Sequence, residues 1–269
     1  QAGIKSGGWS AGVSMIDINN DGLMDIYVSK SGNEPGERRA NQLYVNQGNL
    51  NFSEEAEAYG IADTSYTNQA AFFDYDKDGD LDLYLLNTSN LIRNANLLRK
   101  PINDGTGYAS DKLYQNDGNG HFKDVTTKAG ILTNGHGLGL SIGDVNNDGW
   151  EDILASSDFL PNDALYINNQ DGTFTDKGSE YFAYQSRFSM GNDIADINND
   201  GWADVIMTDM LPEANEQQKK MLLTSYQVFE AEKELGYHPE FTRNMLHINQ
   251  GKTPDGKIIF SEIWQLNGI

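Results

Sequence analysis

The chain has 269 residues, with 40 acidic against 19 basic side chains, a formal net charge of −21 and no cysteine. Disulfide and thiolate chemistry are excluded, and the acidic balance argues against a nucleic-acid backbone as partner. No apolar run approaches the ~18 residues of a membrane span, and the lack of cysteine favours a bacterial surface protein held by metal over a disulfide-stapled one.

Taken in order, the chain opens on Ala2-Gly3-Ile4, which reads as the tail of a preceding unit, and then repeats one pattern four times. In the first unit a predicted strand A at 12–17 runs into Asp17-Ile18-Asn19-Asn20-Asp21-Gly22-Leu23-Met24-Asp25, and strand B leaves it as Ile26-Tyr27-Val28. Strand C is Asn41-Gln42-Leu43-Tyr44-Val45-Asn46, and a turn containing Gly48 leads to strand D, Phe52-Ser53-Glu54. The unit closes on Gly60-Ile61. The second unit repeats this with strand A at 70–74, the loop at 74–82, strand C at 111–116, Gly118, Phe122-Lys123-Asp124 and Gly130-Ile131. The third has strand A at 140–144, its loop at 144–152, strand C at 163–168, Gly172 and Phe174-Thr175-Asp176. The fourth has 193–196, 196–204, 244–249, Gly251, Phe260-Ser261-Glu262 and a closing Gly268-Ile269. The units span about 5–61, 62–131, 132–186 and 187–269, as blades of a single domain over 1–269.

The nine-residue loop carries the chemistry. Each copy has Asp or Asn at positions 1, 3 and 5, Gly at 6 and Asp at 9. Side chains at 1, 3 and 5 aim oxygens at one point, and Gly permits the sharp reversal. Position 7 offers its carbonyl, and Asp at 9 closes a shell of the kind calcium takes, about six to eight oxygens. The expected ligands are Asp17, Asn19, Asp21, Leu23 and Asp25, then Asp74, Asp76, Asp78, Asp80 and Asp82. The third and fourth sets are Asp144, Asn146, Asp148, Trp150 and Asp152, and Asp196, Asn198, Asp200, Trp202 and Asp204. Up to four Ca2+ ions are expected, with a structural role. An EF-hand is excluded, because position 12 is Val28, Leu85, Ala155 or Met207 where that motif needs a bidentate Glu. Calcium loops of low affinity belong outside the cytosol.

Four-stranded units recurring at roughly 50–70 residues indicate an all-β fold, a β-propeller with each unit a blade. Closing a ring normally takes more than four blades, so the expectation is part of a larger propeller with a helical insertion in its last blade. The loops, the Leu-Tyr-x-Asn strand and the Phe-Ser/Thr-Glu/Asp strand resemble FG-GAP/VCBS repeats, the blades of integrin-α-like propellers, over nearly the whole chain. Ala70-Ala71-Phe72-Phe73-Asp74-Tyr75-Asp76 and Ser189-Met190-Gly191-Asn192-Asp193-Ile194-Ala195-Asp196, with Asp209-Met210-Leu211-Pro212-Glu213, are similar to large VCBS-repeat proteins of Bacteroidetes. This resemblance implies a seven-bladed ring in an exported, often lipid-anchored protein of the bacterial cell surface or outer membrane. Any export signal or anchor would lie outside this numbering.

In a four-stranded meander the A–B and C–D connections share one end, and B–C and D–A share the other. Leu43, Leu113, Leu165 and Leu246 of strand C follow position 9 of their loops by 18, 31, 13 and 42 residues. Variation is thus concentrated in the B–C connections, and long loops on a rigid scaffold are where binding residues gather. A protein or glycan partner is expected at insertions 88–110 and 208–243. The first carries Arg93, Arg99 and Lys100, and the second is predicted to be helical over about 212–236, after Pro212 and up to Gly236. Its Leu222, Tyr226 and Phe229 share a face that packs on the propeller rim or docks a partner. The leading expectation is a non-catalytic, calcium-stabilised surface module, plausibly a subunit of a multi-subunit cell-envelope assembly. The alternative is a calcium-dependent propeller enzyme such as a polysaccharide lyase, with Arg38, Arg39, Arg93 and Lys100 as its only basic candidates. A pure spacer predicts short loops at both ends, which the insertions contradict. His121, His136, His238 and His247 are scattered, Trp150 and Trp202 read as packing residues, and Ser141 and Ser189 lack a Gly-x-Ser-x-Gly setting.

Overall fold

The structure is a computed structural model that describes every residue except 1, 6, 34, 90–97, 108, 213, 221–224 and 267–269. Four antiparallel four-stranded sheets follow one another along the chain, each a meander in sequence order. Blade 1 consists of β1 (Trp9–Ile16), β2 (Asp25–Ser31), β3 (Gln42–Asn46) and β4 (Phe52–Glu54). Blade 2 consists of β5 (Thr67–Phe73), β6 (Asp82–Asn87), β7 (Lys112–Asn116) and β8 (Phe122–Asp124). Blade 3 has β9 (Gly137–Gly143), β10 (Asp152–Ser157), β11 (Ala164–Asn168) and β12 (Phe174–Asp176). A two-residue strand β13 (Gln185–Ser186) then precedes blade 4, which is built from β14 (Gly191–Ala195), β15 (Asp204–Thr208), β17 (Met245–Lys252) and β18 (Ile258–Glu262). Between β15 and β17 lies β16 (Glu240–Phe241), which pairs in parallel with β13. All four sheets and their order agree with the repeat expected from sequence. Strand A begins earlier than expected in blade 1, because pairing with strand B continues past a bulge at Ser10/Gly12.

The period of two along each strand decides which blade a side chain meets. In β6, Leu83 and Leu85 join the core shared with blade 1, while Tyr84 and Leu86 join the core shared with blade 3. Ile153 and Ala155 of β10 face back to blade 2, and Leu154 faces forward to Val205 and Met207 of blade 4. Three inter-blade cores result, and each large side chain buried there contributes roughly 1.5–3 kcal/mol. A phenol in such a core needs a partner for its hydroxyl. Tyr27 therefore donates to the Ile61 carbonyl at 3.0 Å, and Tyr84 to Asp111 at 2.7 Å.

The innermost strands touch in the order β1, β5, β9, β14. Bonds such as Ser14 Oγ to Ala70 O, at 2.7 Å, and Asn68 Nδ2 to Gly137 O, at 2.7 Å, tie neighbouring strands A together. The Gly-Ile signal is a joint between units. Gly130 sits at φ +82°, and a Cβ there would lie 2.6 Å from the Phe174 carbonyl of the next blade. Ala2-Gly3 docks on strand D of blade 1 in the same manner, with Phe52 N donating to Ala2 O at 2.9 Å. On the side of β1 away from blade 2, Val13 and Met15 are 66% and 56% exposed.

The short helices are α1 (Gly36–Arg39), α2 (Ala56–Tyr59) and α3 (Gly178–Tyr181), and the blade 4 insertion holds α4 (Asn215–Lys220) and α5 (Tyr226–Glu234). The single helix expected over 212–236 is thus two helices, and Glu213 and Leu222 lie outside the described residues. Its predicted face is packed in part, with the Phe229 ring half-buried 6.1 Å from the Phe241 ring between centroids. Tyr226 is 75% exposed, whereas Glu232 is the buried residue of α5.

Candidate metal centres and the insertion face

The four loops share one hydrogen-bond scheme, which follows from their residue types. In loop 1 the position 1 carboxylate of Asp17 accepts the amides of Asp21 and Gly22 at 3.0 and 2.8 Å, and Asp21 accepts the amide of Leu23 at 2.8 Å. Asp74 accepts from Asp78 and Gly79, Asp144 from Asp148 and Gly149, and Asp196 from Asp200 and Gly201. Position 5 in turn accepts the position 7 amide: Asp78 from Asp80, Asp148 from Trp150, and Asp200 from Trp202. Glycine at 6 is in the left-handed region in every loop, from +84° at Gly22 to +98° at Gly79. Position 4 is left-handed too, at Asn20, Lys77, Asn147 and Asn199.

Position 9 plays a part that spacing alone did not reveal. Asp25 accepts the amide of Ile18 at 3.0 Å through one oxygen and that of Asn46, on strand C, at 2.7 Å through the other. Asp82, Asp152 and Asp204 repeat this with Tyr75 and Asn116, Val145 and Asn168, and Ile197 and Asn249. These four carboxylates are buried and lock the loop to strand C. The strand C Asn completes the lock, since the Asn46 side chain donates to Met24 O at 3.1 Å and accepts the Gly48 amide at 3.0 Å. Its recurrence as the last residue of Leu-Tyr-x-Asn was the legible signal for this role.

Loop 2 is the most acidic. One oxygen each from Asp74, Asp76 and Asp78 lies within 4.8 Å of the others. Asp82 stands outside that group. Asp76 Oδ1 and Asp80 Oδ1 are enclosed without a hydrogen-bond partner among the described residues, as is Asn146 Oδ1 in loop 3. Burial pushes the Asp82 carboxyl up to about 8 and Asp152 up to about 7, with neighbouring loop carboxylates adding repulsion. Burial also raises Asp25, Asp76 and Asp80. Gln115 and Gln170 supply neutral donors to Asp76, at 2.6 Å, and Asp148, at 3.0 Å. An oxygen-only donor set with orphaned carboxylate and amide oxygens, and no ion pair to the loop 2 carboxylates among the described residues, fits a hard divalent ion.

Trp150 and Trp202 at position 7 pack as expected. The Lys77 amine lies 4.6 Å from the Trp150 ring centroid, across a blade boundary. Trp202 covers Gly251, where a Cβ would meet the ring at 2.8 Å.

At the other end of the sheets the B–C connections form one platform. Tyr237 of the blade 4 insertion donates to the Arg99 carbonyl of the blade 2 insertion at 2.8 Å. Between them Asn162 of blade 3 accepts the His238 amide at 2.8 Å and donates to Glu240 at 2.6 Å. The blade 2 segment is tied to the next connection, Asn134 N donating to Ile102 O at 3.1 Å and Ala109 N to Asn134 Oδ1 at 2.9 Å. Helix α5 is anchored by a buried pair, in which Arg187 donates twice to Glu232, at 3.1 and 2.7 Å. Glu240 lies 3.9 Å from the same guanidinium, and burial raises its carboxyl strongly. Sequence reading missed this anchor, because Arg187 lies 45 residues from Glu232 in the chain.

Arg38, Arg39 and Lys100 lie in B–C connections, at the opposite end from the metal loops, and Arg93 lies outside the described residues. Arg39 stacks on Tyr66 at 3.9 Å from the ring centroid. The histidines remain dispersed: His247 is buried in β17 against Phe182 at 4.4 Å, and burial lowers its ring to about 3. Ser141 and Ser189 donate to Asn192 and Asp163, at 2.7 and 2.6 Å. No helix among the described residues is long and apolar enough to cross a membrane.

Successive four-stranded blades with one recurrent loop at one end and variable connections at the other define a repeat-built β-propeller. The FG-GAP-like repeat family matches residues 17–85, 102–155 and 144–207, and the chain belongs to that family. Comparison with curated proteins returns no match. Among solved structures, an Agrocybe aegerita lectin that recognises non-reducing terminal N-acetylglucosamine is similar at 17% identity and a TM-score of 0.39, over 73% of this chain and 46% of the lectin. The V. cholerae biofilm matrix protein Bap1 is similar at 15% identity and a TM-score of 0.33, over 77% of this chain and 36% of that protein. The chain thus spans less than half the length of either.

Proposed function

We propose that this chain is a calcium-stabilised, non-catalytic interaction module of an exported bacterial surface protein, and that its B–C platform binds a protein or glycan. The observation that carries the reading is the Tyr237–Arg99 contact, which brings described segments of the two long insertions together across blade 3. Platform and metal loops stand at opposite ends of the same sheets, which fits metals that hold the scaffold and take no part in a reaction. Asp17, Asp74, Asp144 and Asp196 with their loop partners would hold calcium, and a bound ion would supply charge neutralisation and nothing else. At 100-fold excess over its dissociation constant, one such ion adds about 2.7 kcal/mol to stability. The reading includes further blades completing a larger, seven-bladed ring, for which the exposed Val13 and Met15 are the support. It also places the protein within a cell-envelope assembly.

The test is a pull-down from calcium-containing cell envelope, repeated with EGTA and with the platform variant Tyr237→Ala. A stoichiometric protein or glycan retained only with calcium, and lost in the variant, supports the proposal. Retention unaffected by the variant overturns the platform assignment. New unsaturated sugar ends on a retained polysaccharide overturn the non-catalytic assignment. Calorimetry with calcium reads the metal sites separately, and Asp78→Ala should remove one binding event from the total.

A further inference from the structure

The residue at loop position 4 lies in the left-handed region in all four blades, yet its side chain does different things. Asn147 of loop 3 donates from Nδ2 to the Gly201 carbonyl of loop 4 at 2.7 Å. Lys77 of loop 2 reaches forward one blade in the same sense, with its amine over Trp150 of loop 3. For Asn20 and Asn199 no cross-blade hydrogen bond is described. The peptide that Asn147 grips is the one joining Gly201 to Trp202. Its carbonyl is held by Asn147, and its N–H is held by Asp200 at 2.9 Å. Clamped from both sides, that peptide fixes where the next carbonyl, that of Trp202 at position 7, is presented. Loop 3 itself contains Asn146, 8% exposed, whose Oδ1 has no hydrogen-bond partner among the described residues.

We propose that Asn147 is a positioning residue for the loop of the neighbouring blade, so that cation binding at 144–152 and at 196–204 is coupled through the Asn147–Gly201 hydrogen bond. The inference rests on the calcium reading of the loops. Ordering of loop 3 around an ion holds Asn147 in its left-handed conformation, and the amide then holds the Gly201–Trp202 peptide ready for an ion in loop 4. Linkage makes the effect reciprocal. Other blade-to-blade contacts are apolar cores, backbone joints, side-chain hydrogen bonds between strands A, and strand C Asn side chains on position 2 carbonyls, such as Asn249 Nδ2 to Val145 O at 2.8 Å. The Asn147–Gly201 contact runs from one candidate centre to the next.

Tryptophan occupies position 7 only in loops 3 and 4, which supplies separate reporters. Terbium(III), an oxygen-seeking stand-in for calcium, emits when excited through a nearby indole. With Trp150→Phe the emission follows loop 4 through Trp202, and with Trp202→Phe it follows loop 3. Asn147→Gly keeps the backbone conformation accessible and removes only the side chain. It should weaken terbium binding in loop 4 by about two- to tenfold, the range of one net hydrogen bond. Asp144→Asn, which disables loop 3, should weaken loop 4 by a similar factor in the parent and add nothing in Asn147→Gly. Asn199→Gly should leave the loop 3 reporter unchanged. A loop 4 titration unmoved by Asn147→Gly, or additive effects of Asn147→Gly and Asp144→Asn, overturns the coupling while leaving the metal sites standing. Absence of sensitised emission from the parent proteins overturns the metal reading and the coupling with it.

Discussion

Asp163→Asn should make this protein more stable, and by an amount that depends on pH. Asp163 opens strand C of blade 3, fully buried, with Oδ1 accepting the Ser157 amide at 2.7 Å and Oδ2 accepting the Ser189 hydroxyl at 2.6 Å. Burial moves its carboxyl from 3.8 to about 7, with Asp209 adding repulsion. The folded chain therefore keeps a proton between about pH 4 and 7 that the unfolded chain has lost. Stability falls as pH rises through that window and levels off above it. Three units of displacement correspond to roughly 4 kcal/mol above pH 7 and about 2 kcal/mol at pH 5. Asparagine avoids that cost, and the same position in blade 1 shows that it fits. There Asn41 accepts the Lys30 amide at 2.8 Å and donates to Thr67 Oγ1 at 3.2 Å. Turning the Ser189 hydroxyl from donor to acceptor reproduces that pair in blade 3. The expected gain is about 2–4 kcal/mol at pH 8 and about half of that at pH 5. Urea unfolding at both pH values, with calcium saturating so that the loops do not titrate, reads it through tryptophan fluorescence. A loss of stability at pH 8, or a gain that does not shrink at pH 5, would refute the reasoning.

Two further substitutions probe the joints. Glu232→Ala leaves the Arg187 guanidinium buried without its bidentate partner and should cost about 3 kcal/mol, with Glu240 ionising in compensation. Hydrogen exchange should quicken over α5 and β16 while the four sheets keep their protection, and uniform loss across the blades would contradict an anchoring role. Gly130→Ala places a Cβ 2.6 Å from the Phe174 carbonyl at φ +82°. Steric and left-handed strain together should lower stability by about 3 kcal/mol or more, and a melting temperature unchanged from the parent would show that the joint can shift.

The sequence by itself determined the blade. A ligand-spaced loop, alternating strands and a Gly turn are local patterns, and their recurrence at Asp17, Asp74, Asp144 and Asp196 made strand order readable without coordinates. The segregation of length variation to the B–C end was equally legible, since the meander fixes which connections share an end. Tertiary structure decided what depends on residues distant in sequence. Position 9 reads only as one more ligand along the chain, and the fold adds a second part to it, with each oxygen of Asp25, Asp82, Asp152 and Asp204 accepting a backbone amide. Tyr226 falls on the apolar stripe of a helical wheel, yet α5 is held through Glu232, because its Arg187 counter-charge comes from a segment 45 residues away. Asn147 carries no signal that separates it from Asn20 or Asn199. Only the rotation of one blade against the next brings its amide to Gly201.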